Sequence, residues 1–162
     1  MATTSIVTDV TGGKIAATAT LDIVQQFNLG QRAFADAGGE LVYCKAGGTL
    51  AAGDFVVIDK DYNASGLTTT NGLRGMRVGV CRQAATTSNW LWIQIAGGVP
   101  GRTANAVAAA AQLNTTATAG AIDDDATATT KRIDGIYIPT AAAGATTNTE
   151  FHLNFPVIGA TL

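Results

Sequence analysis

Chemistry needs groups that ionise, attack or ligate, and this chain offers few. Its single histidine, His152, stands between Phe151 and Leu153 in an alternating run, with no serine or cysteine beside it in a nucleophile motif. General acid–base work uses such a histidine, or a pair of carboxylates, held in a cleft with a shifted pKa. On the polar face of a strand, a solvated or interface histidine is the plainer reading. The serines are Ser5, Ser65 and Ser88, and none lies in a G-x-S-x-G elbow, which argues against a serine hydrolase. Asp123, Asp124 and Asp125 form the one concentration of charge. Hard cations bind convergent carboxylates, yet three adjacent residues point in different directions and the spaced D-x-D-x-D-G loop is missing. A solvated turn is expected there, with no metal and no cofactor; an unrecognised hydrolase using these aspartates is the remotest alternative. Glycine-rich pieces such as residues 96–101 lack the spacing of a phosphate loop and read as turns.

Cys44 and Cys81 sit inside apolar, strand-like runs. There a thiol is most often a small buried hydrophobe; a disulfide between two central strands is the alternative, and neither cysteine has a partner at zinc-ligand spacing. The sharpest binding signal is Trp90 and Trp92. Two positions apart on one face of a strand, they make a flat aromatic platform that could stack on sugar rings or anchor a protein interface. The competing reading packs this face beneath a second sheet or the N-terminal arm. Trp90, Trp92, Phe27 and His152 are thus the interface or binding candidates; no residue qualifies as catalytic, and the chain is not expected to be an enzyme.

The elements that must position these groups follow from composition and alternation. At 162 residues, the chain has the size of one domain. Hydrophobic residues make up 47%, but only 14% are charged, against about 25% in ordinary domains, so the surface is unusually neutral. With 30 alanines, 24 threonines and 19 glycines there are few large core residues, which favours a thin β structure or an assembly burying surface between chains. The net charge is -2, and cations are scattered apart from Lys131-Arg132. Nucleic acid is therefore not an expected partner, because neutralising a phosphate backbone takes clustered cations. No window approaches the roughly 18 apolar residues of a membrane helix, and the start lacks a signal-peptide pattern, so a soluble, unexported protein without a membrane partner is expected.

Residues 1–30 carry apolar positions too sparsely for a self-contained hydrophobic face and read as an N-terminal arm; residues 31–162 read as a β-rich domain. Strands are expected in ELVYCKA, DFVVID, MRVGVCRQA, NWLWIQI, RIDGIYIP and EFHLNFPVI, separated by Gly, Asn, Asp and Thr turns. In NWLWIQI, Leu91, Ile93 and Ile95 share one face and Trp90, Trp92 and Gln94 the other. In EFHLNFPVI, Phe151, Leu153, Phe155 and Val157 are expected inward. Only residues 103–113 have helix-forming composition, with Thr103 as N-cap, and one short helix is allowed there. The fold class is all-β, a small β-barrel or β-sandwich with an extended N-terminal arm. A weak internal repeat aligns residues 77–95 with 132–155, matching Gly79 to Gly135 and Asn89 to Asn148, with residues 49–59 and 116–126 as upstream counterparts.

The stretch ELVYCKAGGTLAAGDFVVID, then RVGVCRQAATTSNWLWIQIAGGV, QLNTTATAGAIDDDA and RIDGIYIP, resembles the head decoration (cement) proteins of tailed bacteriophages in the order of its motifs. The resemblance covers residues 38–140; the first 30 residues and the tail from 141 match nothing of that family. It implies a virion structural protein, made in the host cytoplasm, that sits as a homotrimer on the outer surface of the capsid and bridges subunits of the major capsid protein. The composition agrees independently, since a neutral surface of small residues has little charge to desolvate and little side-chain entropy to lose in permanent contacts. The alternative is a carbohydrate-binding β-module of a phage tail or spike, using Trp90 and Trp92.

Overall fold

The computed structural model describes residues 6–8, 13–15, 22–35 and 38–162; the other parts of the expected arm lie outside the described residues. Strands β1 (Ile6–Thr8), β2 (Gly13–Ile15), β3 (Arg32–Ala35), β4 (Glu40–Ala46), β5 (Phe55–Ile58), β6 (Asn63–Gly66), β7 (Arg77–Cys81), β8 (Trp90–Thr103), β9 (Asn114–Thr115), β10 (Ile122–Asp123), β11 (Lys131–Tyr137) and β12 (Thr146–Thr161) join in one continuous sheet. The protein is all-β, as its alternating runs predict.

Period-two alternation closes the first half of this sheet into a barrel. β4 pairs with the first half of β8, β8 with β7, β7 with β5, β5 with β6, and β6 returns parallel to β4. Inside lie Val42, Cys44 and Ala46 of β4, Val56 and Ile58 of β5, Cys81 of β7, and Leu91, Ile93 and Ile95 of β8. The interior is narrow. A Cβ at Gly79 would come within 2.4 Å of Ile93 Cγ2 and 2.8 Å of the Gln94 carbonyl oxygen, so only glycine lets β7 approach β8 this closely.

The second half repeats the same circuit. The latter part of β8 pairs with β12, β12 with β11, β11 with β9, β9 with β10, and β10 returns parallel to β8. Registers correspond as well. Val42 opposes Ile93 as Val99 opposes Phe151, and Cys44 opposes Leu91 as Gly101 opposes Thr149. Even the isolated bridges match, Leu50 with Ala85 and Val107 with Ala142, each member 57 residues from its counterpart. β8 is thus the last strand of one barrel and the first of the other, and Ala96 pairs with both Glu40 and Asn154. The interior of the second barrel merges with the outer face of the first, where Phe55 meets Phe151 edge-on at 5.1 Å between ring centroids.

Three expectations are corrected. Residues 103–113 form no helix: Val107 exchanges two backbone hydrogen bonds with Ala142, at 2.9 Å each, and Ala110 has φ 57, which a right-handed helix does not allow. Closing the barrel overrides the alanine propensity. Phe155 and Val157 do not point inward; they are 42% and 37% exposed, because β12 bulges opposite Gly135 and Phe155 takes φ 50, which switches the strand's faces. The repeat is real in topology but its upstream alignment shifts: residues 49–53 correspond to 106–110, rather than to 116–120.

Candidate functional site

The tryptophan face is built from alternation on two strands and covered by the segment before them. Leu41 and Tyr43 of β4 and Trp90 and Trp92 of β8 turn away from the barrel interior, so they need a cover of their own. Residues 22–35 supply it. Asp22 and Trp90 exchange backbone hydrogen bonds at 3.1 and 2.9 Å, Gly30 donates to the Tyr43 carbonyl at 2.9 Å, Tyr43 donates to the Gln31 carbonyl at 2.9 Å, and β3 then pairs with β4. Between these anchors Phe27 enters an aromatic triangle, 5.2 Å from Tyr43 and 5.2 Å from Trp92, with Tyr43 and Trp92 5.0 Å apart. Aromatic pairs at such edge-on and tilted angles each add about 0.5–1.5 kcal/mol beyond area burial.

Side-chain bonds to β4 latch this covering segment, Arg32 to Glu40 at one end and Asp22 to Tyr43 at the other. The Tyr43 hydroxyl donates to Asp22 Oδ2 at 2.5 Å and accepts from the Gln26 N–H at 3.3 Å. Burial and the neighbouring Asp22 carboxylate hold the Tyr43 phenol far above its ordinary pKa, so it stays a donor. Trp92 is only 9% exposed. Trp90 is half-buried, carries the Lys45 ammonium 5.7 Å above its ring, and has its indole N–H buried without an acceptor among the described residues. Trp90 and Trp92 therefore form no open platform: Phe27 packs against Trp92, and Lys45 lies over the half-buried Trp90.

His152 lies elsewhere, exposed on β12 opposite Tyr137, with the two ring centroids 6.2 Å apart. The structure does not bring it near the tryptophans. Cys44 and Cys81 are buried and free, and burial pushes their thiols up to about 12 and about 11, the opposite of an activated nucleophile. Asp123 departs from the solvated-turn expectation. It is 3% exposed, accepts from Asn105 Nδ2 at 2.7 Å and from the Asp124 N–H at 2.8 Å, and of the run only Asp125 is exposed.

The concavities are shallow. One of about 510 Å³ is formed by the 140–150 loop on itself, and another of about 400 Å³ lies between Asp59, Tyr62, Met76 and Arg77. Neither contains His152 or a cysteine. In the second, the Asp59 carboxylate is already occupied by the Asp61 and Asn63 N–H groups and Asn63 Nδ2, at 2.8 to 2.9 Å, and these bonds hold its pKa below the ordinary value against the opposing effect of burial. No helix among the described residues is long and apolar enough to cross a membrane.

Sequence reading had no means of finding Asp22 or Tyr43. Tyr43 could be placed on the outer face of its strand by alternation with Val42 and Cys44, but nothing local identifies a partner 21 residues away. No protein-family model matches the chain, and no curated protein matches it significantly.

Proposed function

We propose that this protein is a structural component of a phage virion, a decoration protein that binds the outer surface of the capsid and bridges its subunits. The observation that carries the reading is the surface. On a chain with 14% charged residues, large apolar side chains stand in solvent, with Ile23 80%, Val24 63% and Phe34 65% exposed on or beside the segment that covers the tryptophans. A neutral surface bearing such groups is suited to burial against other chains. The motif order of the cement-protein resemblance, running through β4, β5, β7, β8, β10 and β11, supports the same role. In this reading the working form is a homotrimer and the partner is the major capsid protein.

The test is co-sedimentation of the purified protein with expanded heads that lack it, together with native mass spectrometry of the free protein. Saturable binding and a trimer mass are expected, with Phe34→Asp and Ile23→Asp reducing attachment while leaving the fold intact. A soluble monomer that does not sediment with heads would refute the proposal. Saturable sugar binding lost in Trp90→Ala would favour the carbohydrate module instead; the burial of Trp92 beneath Phe27 weighs against that reading.

A further inference from the structure

The second barrel carries, at one point, polar groups that the first does without. Asn114 of β9 and Asp123 of β10 are directly opposed, which places both side chains on the same face of the sheet, and they are 1% and 3% exposed. Their counterparts in the first barrel are the opposed pair Val57 and Ser65, so closing this fold requires neither a buried amide nor a buried carboxylate there. The Asn114 amide Nδ2 reaches the Asp124 and Asp125 carbonyl oxygens at 3.4 and 3.3 Å, while its Oδ1 is buried with no partner. Leaving a buried acceptor unpaired is unfavourable, because the water it gave up is not replaced. Beside it, Asp123, Asp124 and Asp125 each present one carboxylate oxygen, all within 4.8 Å of one another. None of the described ion pairs brings a lysine or arginine to these three groups; Arg132, opposite Asn114 on the other side, is engaged by Asp134 at 2.6 Å.

We propose that these four residues form a calcium site, with the Asp123, Asp124 and Asp125 carboxylates and Asn114 Oδ1 as ligands. The donors are all hard oxygens, and carboxylate oxygens within 4.8 Å of one another are close enough to share an ion that binds oxygen at about 2.3–2.6 Å. Magnesium asks for about 2.0–2.1 Å and a near-ideal octahedron, which three consecutive residues of a turn do not offer. Hydrogen bonds already orient the set: Asn105 Nδ2 donates to Asp123 Oδ2 at 2.7 Å, and the Ala108 N–H donates to Asp124 Oδ2 at 2.8 Å. A cavity of about 220 Å³ is bordered by Asp123, Asp125 and Asn105, so two of the carboxylates face open space. A bound cation would cancel the mutual repulsion of the carboxylates and supply the missing partner of Asn114, drawing the 124–130 turn onto the barrel.

Calorimetric titration of the chelator-treated full chain with calcium chloride tests this, with thermal melting in parallel. One ion per chain and a higher melting temperature are expected by about 1 mM, the weak end of protein calcium sites. Asp125→Asn, at an exposed position, should weaken binding about tenfold or more without altering the calcium-free melt. Asn114→Val, which copies the first barrel, should fold and lose the calcium increment. A folded wild type with neither heat nor melting shift would overturn the proposal. So would a calcium response unchanged in both variants, and an equal response to magnesium chloride would overturn the choice of ion.

Discussion

Trp92 and the two thiols show how much a single side chain can report about this fold. Truncating Trp92 removes one corner of the aromatic triangle and two of its three ring contacts, and a buried aromatic changed to alanine costs about 3–5 kcal/mol. Urea unfolding of Trp92→Ala should show a loss of that size, and native tryptophan emission should be blue in the wild type. Unchanged stability with red native emission would mean that the rings stand in water. Alkaline pH gives a second test. Cys44 and Cys81 ionise near 9 when exposed and only at about 12 and about 11 in the fold. Above pH 9 the unfolded chain has therefore lost protons that the native chain retains. Stability is full below pH 9 and falls as pH rises through the folded values, by up to about 1.4 kcal/mol per pH unit for each group. Replacing both cysteines by alanine should flatten this decline, with Tyr43 sustaining its later part; an unaltered alkaline limb would show that the thiols are not the cause. The burial of both cysteines and the outward direction of His152 were legible from alternation alone. The Tyr43 to Asp22 bond and the orphaned oxygen of Asn114 were not, because each depends on a residue that only the folded topology brings near.

The segment 103–113 marks the limit of propensity at the scale of elements. Its alanines favour a helix locally, but the same stretch occupies the place of residues 46–56 in the first barrel, where TLAAGD spells a turn with glycine at φ 88. Ala110 holds the corresponding position at φ 57. A left-handed conformation costs a non-glycine residue about 1–2 kcal/mol, whereas glycine in a helix interior costs about 1 kcal/mol relative to alanine. Ala110→Gly therefore separates the two structures by sign: thermal melting should rise or hold, and a fall matching about 1 kcal/mol would restore the helix. Four strands of the first barrel, β4, β5, β7 and β8, were readable because alternation and β-branched residues agree there, whereas β6, with the sequence NASG, lies in residues whose Asn, Ser and Gly read as a turn. In the second, β9 and β10 have two residues each, too short for a periodic signal, and the bulge that turns Phe155 outward needs Gly135 on the neighbouring strand.

For the whole molecule, the decisive feature is that the two barrels share both a strand and a core. The repeat was visible in the order of residues 77–95 and 132–155, but small residues aligned the upstream parts in the wrong register, and only the paired bridges at Leu50 and Val107 fix it. Because Phe55 and Phe151 pack in one cluster, damage in the second barrel should be felt in the first. Phe151→Ala should lower stability by about 3–5 kcal/mol. Its denaturation followed by tryptophan emission, which reports only the first barrel, should coincide with that followed by circular dichroism. A tryptophan transition left at the wild-type midpoint, with a second transition elsewhere, would show two independent units.

The strand common to both barrels also decides how the molecule would carry load. A linker between two domains bends under a pull of small force, but β8 runs for 14 residues with ladders on both halves and a left-handed step only at Gly97, φ 86, where one barrel passes into the other. Tension applied between the barrels therefore acts along the strand and in shear across several hydrogen bonds at once, instead of opening them one by one. A chain built this way behaves as a short strut of fixed length. Stretching it would be resisted until a whole ladder gives way, so single-molecule extension should show one abrupt rupture, without the early compliant phase of a hinge.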